Sequence, residues 1–246
     1  MDMRGIAGCL AAAMMLAAGP AAAQSDLLGK ARGLLGSHGS GLDGTAQTDT
    51  VAAGLKEALR VGVERVVGKV GAVNGFNLDP AIHIPLPGPL RTVQSWLGKV
   101  GMAAMADDLE TRMNRAAEIA AGEAKTLLWG AIQEMSIDDA QRIFNGPKDA
   151  ATQYFQGKMT PALSARMKPL VDDAMAEAGA IKAYDAMMGR YSAIPFVPDV
   201  KADVSGYVVD KGLGGIFHYI AKEEAAIRDN PAARTTDLLR KVFGGG

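Results

Sequence analysis

Side chains that do chemistry are scarce in this sequence, and their spacing narrows what they would do. The three histidines are His38, His83 and His218. None shares a helical face with a second histidine or a carboxylate one turn away, the arrangement that holds zinc. A carboxylate-bridged di-metal bundle needs a Glu-x-x-His pair, and the sequence has none. It also lacks a G-x-S-x-G elbow for a serine nucleophile, a P-loop and a dinucleotide fingerprint. No metal and no cofactor is expected, and no catalytic residue is assigned.

Three polar groupings remain as candidate ligand contacts. Glu110, Asn114 and Glu118 recur every four residues, with Arg115 beside them. On a helix they stack on one face, where oxygen atoms would hold a cation or a polar ligand. The plainer reading is a solvated face. Thr152, Gln153 and Tyr154 follow a Gly146-Pro147 break; Tyr154 is read either as a ligand contact or as a core residue whose hydroxyl finds a partner. Arg234, Thr235 and Thr236 stand where a last helix begins. There, backbone donors, hydroxyls and a guanidinium would bind an anion, or simply cap the helix. These groups either converge on one cleft, walled by a proline strap around Ile84 and Leu86, or are separate caps and surface charges.

The elements that must position them are helical. The start of the chain reads as an address: Arg4, an apolar run from Ile6 to Ala18, then Gly19-Pro20-Ala21-Ala22-Ala23. A basic start, a short apolar core and an A-x-A site form a secretory signal peptide over residues 1–23, cleaved after Ala23. The apolar run is shorter than the roughly 20 residues of a membrane span, so no transmembrane segment is expected after cleavage. Ile6-Ala7-Gly8-Cys9 has the form of a lipid-modification box, but it stands at the beginning of the apolar core instead of its end. Cleavage removes the only cysteine, leaving stability to packing alone. A net charge of −1 without a basic cluster excludes nucleic acid as an expected partner.

Residues 24–47 read as a short helix, Asp26 to Gly36, and a flexible Gly/Ser linker. From 48 to 244 the pattern predicts one all-α domain of about nine to ten helices with proline-rich extended connections and no sheet. Asp49 or Thr50 caps a helix with Val51, Leu55, Leu59, Val63 and Val67 at helical spacing. Pro80, Pro85, Pro87 and Pro89 keep the next stretch extended. The central stretch from Met102 to Phe155 carries a long helix, then Ser136 as cap of a shorter one, with Asp139 three residues on as an imperfect capping box. Beyond Thr160-Pro161 lie helical stripes at Leu163–Ala178 and Ile181–Met188, then a long one from Asp203 to Arg228. Its glycines predict close packing against another backbone. Thr235 or Thr236 caps a last helix.

Several blocks together resemble one bacterial family. They are Gly54-Leu55-Lys56-Glu57-Ala58-Leu59, Ile84-Pro85-Leu86-Pro87, Asn114-Arg115-Ala116-Ala117-Glu118, Asp149 to Phe155, and Ile227 to Leu239. In that order they are similar to the exported proteins grouped as domain of unknown function (DUF) 4197, over about Ala52 to Gly244. The resemblance implies an exported, helical, single-domain protein of Gram-negative bacteria with no settled activity. It also implies a proline where this chain has Gly122, marking a break in the central helix. Two functions are then expected. One is a non-catalytic periplasmic or secreted binding module whose partner is an envelope protein or a small ligand. The other is a hydrolase or transferase using a glutamate such as Glu118 as general base.

Overall fold

The computed structural model describes residues 39–230, 237 and 240, with side chains from residue 49 onward. Residues 1–46 and 47–246 are two compact units; apart from the start of the first helix at Gly39, the description below concerns the second. The helices are α1 (Gly39–Val70), α2 (Gly88–Lys99), α3 (Ala104–Gln133), α4 (Ile137–Phe144), α5 (Ala150–Tyr154), α6 (Thr160–Glu177), α7 (Ala180–Ser192) and α8 (Val204–Asp229), with a π-helical turn, Phe155–Met159, joining α5 to α6. No strand occurs among the described residues. The helices there are fewer than the nine to ten expected. The expected first helix at 26–36 and last helix from Thr235 or Thr236 lie outside the described residues.

Two boundaries differ from the sequence pattern. Helix α1 begins at Gly39, before Asp49 and Thr50, because no proline intervenes to stop it. Helix α3 runs unbroken through Gly122; a glycine costs a helix up to about 1 kcal/mol, which packing on either side overrides.

Helix α3 is the axis of the unit. It packs against α2, α6, α7 and α8, and its buried residues include Ala106, Ala116, Ala117, Ala120, Ala121 and Ala124. Small side chains let neighbouring helices approach on several sides, so α3 is enclosed over much more than one stripe. Helix α1 meets α3 through Lys125 and Glu64 at 2.8 Å, and meets α8 through Arg65 and Glu223 at 3.3 Å. Residues 71–82 form successive turns and 83–87 run extended, as the prolines require. Phe76, Ile84 and Leu86 are buried completely. Gly215 of α8 makes room for them: a Cβ there would lie 2.7 Å from the Phe76 ring and 3.2 Å from Ile82. The expected close packing of α8 glycines thus holds at Gly215, against side chains instead of backbone, whereas a Cβ at Gly212 or Gly214 would meet nothing within 4 Å.

Candidate functional site

Two of the three side chains stacked on the polar face of α3 are buried. Asn114 is wholly buried and Glu118 is 3% exposed, and both grip the strap. Glu118 Oε1 accepts from the amides of Phe76 at 3.1 Å and Asn77 at 3.0 Å. Its Oε2 accepts from Arg115 Nη1 at 2.6 Å, and Arg115 Nη2 donates to Asn74 Oδ1 at 3.0 Å. Asn74 has φ 69°, a left-handed conformation that asparagine tolerates better than most residues. One turn earlier, Asn114 Oδ1 accepts from the Ile84 amide at 2.9 Å, while its Nδ2 donates to the Ile84 carbonyl at 2.8 Å. One more turn back, Glu110 Oε2 accepts from the Leu86 amide at 2.8 Å. Glu110 Oε1 lies 2.9 Å from His83 Nε2, and His83 Nδ1 lies 2.9 Å from the Asn77 carbonyl.

The spacing has a geometric cause. Four helical residues advance about 6 Å, and two extended residues advance about 6.6 Å. Glu110 and Asn114 therefore meet Leu86 and Ile84 in register. Prolines prevent this strap from joining a sheet or a helix, yet its remaining buried amides need acceptors. The side chains of α3 supply them. Of the cation or ligand contacts expected at Glu110, Asn114 and Glu118, the structure places all three side chains in a clamp on the chain's own backbone. Ile84 and Leu86 fill the core and do not wall a groove.

Thr152 and Tyr154 belong to two other networks. Glu224 of α8, 6% exposed, accepts at Oε1 from the Ala151 amide at 3.0 Å and at Oε2 from the Thr152 amide at 3.1 Å and hydroxyl at 3.2 Å. Arg228 Nη2 donates to Glu224 Oε1 at 3.0 Å and to the Ile143 carbonyl at 2.7 Å, and Nη1 donates to the Phe144 carbonyl at 3.1 Å. The pair thus joins the orphan carbonyls ending α4 to the orphan amides beginning α5. The Tyr154 hydroxyl donates to Asp139 Oδ2 at 3.2 Å. Asp139 completes the capping box: its amide donates to Ser136 Oγ at 3.0 Å and its Oδ2 accepts from the Ser136 amide at 3.3 Å. It also takes Arg142 at 2.6 Å and Lys158 at 3.2 Å. The Ser136 hydroxyl, then Lys158, hold the Asp139 carboxyl down at about 2 against the cost of burial. Burial first, and then the Asp139 charge, push the Tyr154 hydroxyl up, the opposite of what a tyrosine nucleophile or base needs.

Asn114, Arg115 and Glu118 therefore act together at the strap, Thr152 is held by Glu224, and Tyr154 is held by Asp139. Arg234, Thr235 and Thr236 lie outside the described residues. Sequence reading missed Glu224, although a signal exists: it stands in the apolar stripe of Leu213, Phe217, Ile220 and Ile227, where a carboxylate must find partners. It missed Asp79 as well, which accepts from the Tyr219 hydroxyl and faces Lys69 Nζ at 4.0 Å. The Tyr219 bond foremost, with help from the Ala81 amide and two lysines, lowers the Asp79 carboxyl. Among the described residues no group of three or more histidine, cysteine or acidic side chains is arranged to hold a metal ion. No described helix is long and apolar enough to cross a membrane.

Comparison with known proteins adds one match. The model of a family described as "Protein of unknown function (DUF4197)" matches residues 45–244. No curated protein and no solved structure matches significantly.

Proposed function

This chain belongs to the DUF4197 family, and from that premise we propose that it is an exported, non-catalytic binding module of the cell envelope. Residues 1–23 serve as its signal peptide. The observation that carries the reading is the destination of the buried polar groups. Glu118, Asn114 and Glu224 have their polar atoms committed to backbone amides, carbonyls and cations of the same chain. A general base needs a lone pair open to a substrate proton, whereas the Glu118 side chain is 4% exposed and takes three donors of its own chain. A hydrolase or transferase using that glutamate is the less supported alternative.

The same clamp stiffens what it holds. The turns at 71–79 are pinned through Asn74, Phe76 and Asn77 while Val73 and Leu78 stand in solvent at 78% and 70% exposure. Apolar side chains on an already ordered backbone lose little entropy on binding. The binding surface is therefore loop 71–79. Export is tested by intact mass of the protein from an exporting bacterium, expected to begin at Gln24; a retained leader or an acylated Cys9 refutes it. Binding is tested by a photo-crosslinking residue at position 73 or 78 in those cells. Adducts are expected there and not at the exposed control position 168; equal labelling at all three refutes the surface.

A further inference from the structure

We infer that loop 71–79 docks on an anionic lipid surface, an assignment that rests on the binding-module reading above. The loop has an anchor, a clamp and two exposed tips. Phe76 is wholly buried, seated where Gly215 lacks a Cβ. Glu118 holds the amides on either side of that anchor's peptide, and Asn74 is held at φ 69° with its side chain bonded to Arg115 and Asn77. Residues in sparsely populated backbone regions persist where surrounding structure imposes them, and they cluster at functional surfaces. The outcome is that Val73 and Leu78 project from a backbone that cannot fold them inward.

The charges around the loop are sorted by depth. In the Lys69–Asp79 pair the lysine side chain is 55% exposed and the acid 17%. In the Arg115–Glu118 pair the arginine is 33% exposed and the acid 4%. Exposed Lys222 stands 5.0 Å from the Tyr219 ring, on which Lys69 also rests at 3.6 Å. In both ion pairs the acid is the more buried partner and the cation the more exposed one. Two aliphatic tips on a loop that Lys69 meets at Asp79 and Arg115 meets at Asn74 match an acidic headgroup layer over hydrocarbon, where each inserted aliphatic and each cation contributes separately. A protein partner asks for more: a standard interface covers about 800 Å² on each side, far beyond what two aliphatic side chains present.

The test is cosedimentation of the exported, processed protein with vesicles, of phosphatidylglycerol mixed with phosphatidylethanolamine, and of phosphatidylcholine alone. Binding is expected to the anionic vesicles, at least tenfold stronger than to the neutral ones, and weakened severalfold by 0.5 M salt. Val73→Ser with Leu78→Ser should lower it at least tenfold while circular dichroism and melting stay unchanged, since both side chains are exposed. Lys222→Glu should lower it severalfold. Absent vesicle binding, or binding indifferent to the double substitution, overturns the lipid assignment. If vesicles fail while position 73 crosslinks to a protein, the partner is a protein and the binding-module reading stands. If neither vesicles nor crosslinking respond, both fail. A concentration-dependent dimer lost in the double variant would instead make the partner a second copy of the chain.

Discussion

Glu118 is the residue on which the strap most depends. Its carboxylate takes two backbone amides and a guanidinium in a site nearly closed to water, where charge-assisted bonds are strong and unmade ones costly. Glu118→Gln keeps the shape but gives up the ion pair and turns a donor toward donors. It should lower unfolding free energy by about 3 kcal/mol in urea titration, with faster hydrogen exchange at the Phe76 and Asn77 amides. A loss under about 0.5 kcal/mol would place it among ordinary surface changes and would mean that the clamp contributes little to stability. Asp139 makes a prediction in pH. Its carboxyl is held at about 2, below the ordinary value of about 3.9, so its stabilisation is complete above the ordinary value. It should fade as pH drops from about 4 toward 2. Asp139→Asn should flatten that part of the acid limb in denaturation at stepped pH; an unchanged limb would show that other carboxylates set it.

Two glycines at the scale of the helix separate local propensity from packing. Gly122 lies inside α3, exposed, and a Cβ there would meet nothing within 4 Å. Gly122→Ala should therefore raise stability by up to about 1 kcal/mol through helix propensity alone. Gly215 lies inside α8, and its Cβ would press on the Phe76 ring and Ile82. Gly215→Ala should lower stability by about 1–3 kcal/mol by overpacking, despite the same gain in propensity. Paired thermal melts of the two variants measure both, and shifts of the same sign would contradict the packing of Phe76 against α8. Residue types alone make these glycines alike. What separates them is the neighbour each one meets.

For the whole molecule, α3 contacts helices from both halves of the unit, and the Glu224–Arg228 pair joins α8 to the ends of α4 and α5. No boundary between 47 and 230 offers a place to come apart separately. Thermal unfolding should be a single transition, with circular dichroism and the fluorescence of Trp96 and Trp129 coincident. Two separated midpoints would show that α1 and the strap form an independent layer.

Helical class, the proline strap, the Ser136–Asp139 capping box and the shared face of Glu110, Asn114 and Glu118 were all legible in the sequence. Each follows from interactions within a turn or two, where spacing and side-chain type are sufficient. What covers that face was not legible. A helical period states which residues point the same way, but solvent and a docked backbone are indistinguishable from one side. The strap reaches Asn114 from 30 residues away, and Glu224 reaches Thr152 across 72. Buried polar groups must be satisfied, and only the tertiary structure chooses by what. That choice set the three stacked side chains against the chain's own backbone, with Val73 and Leu78 of the loop they hold exposed.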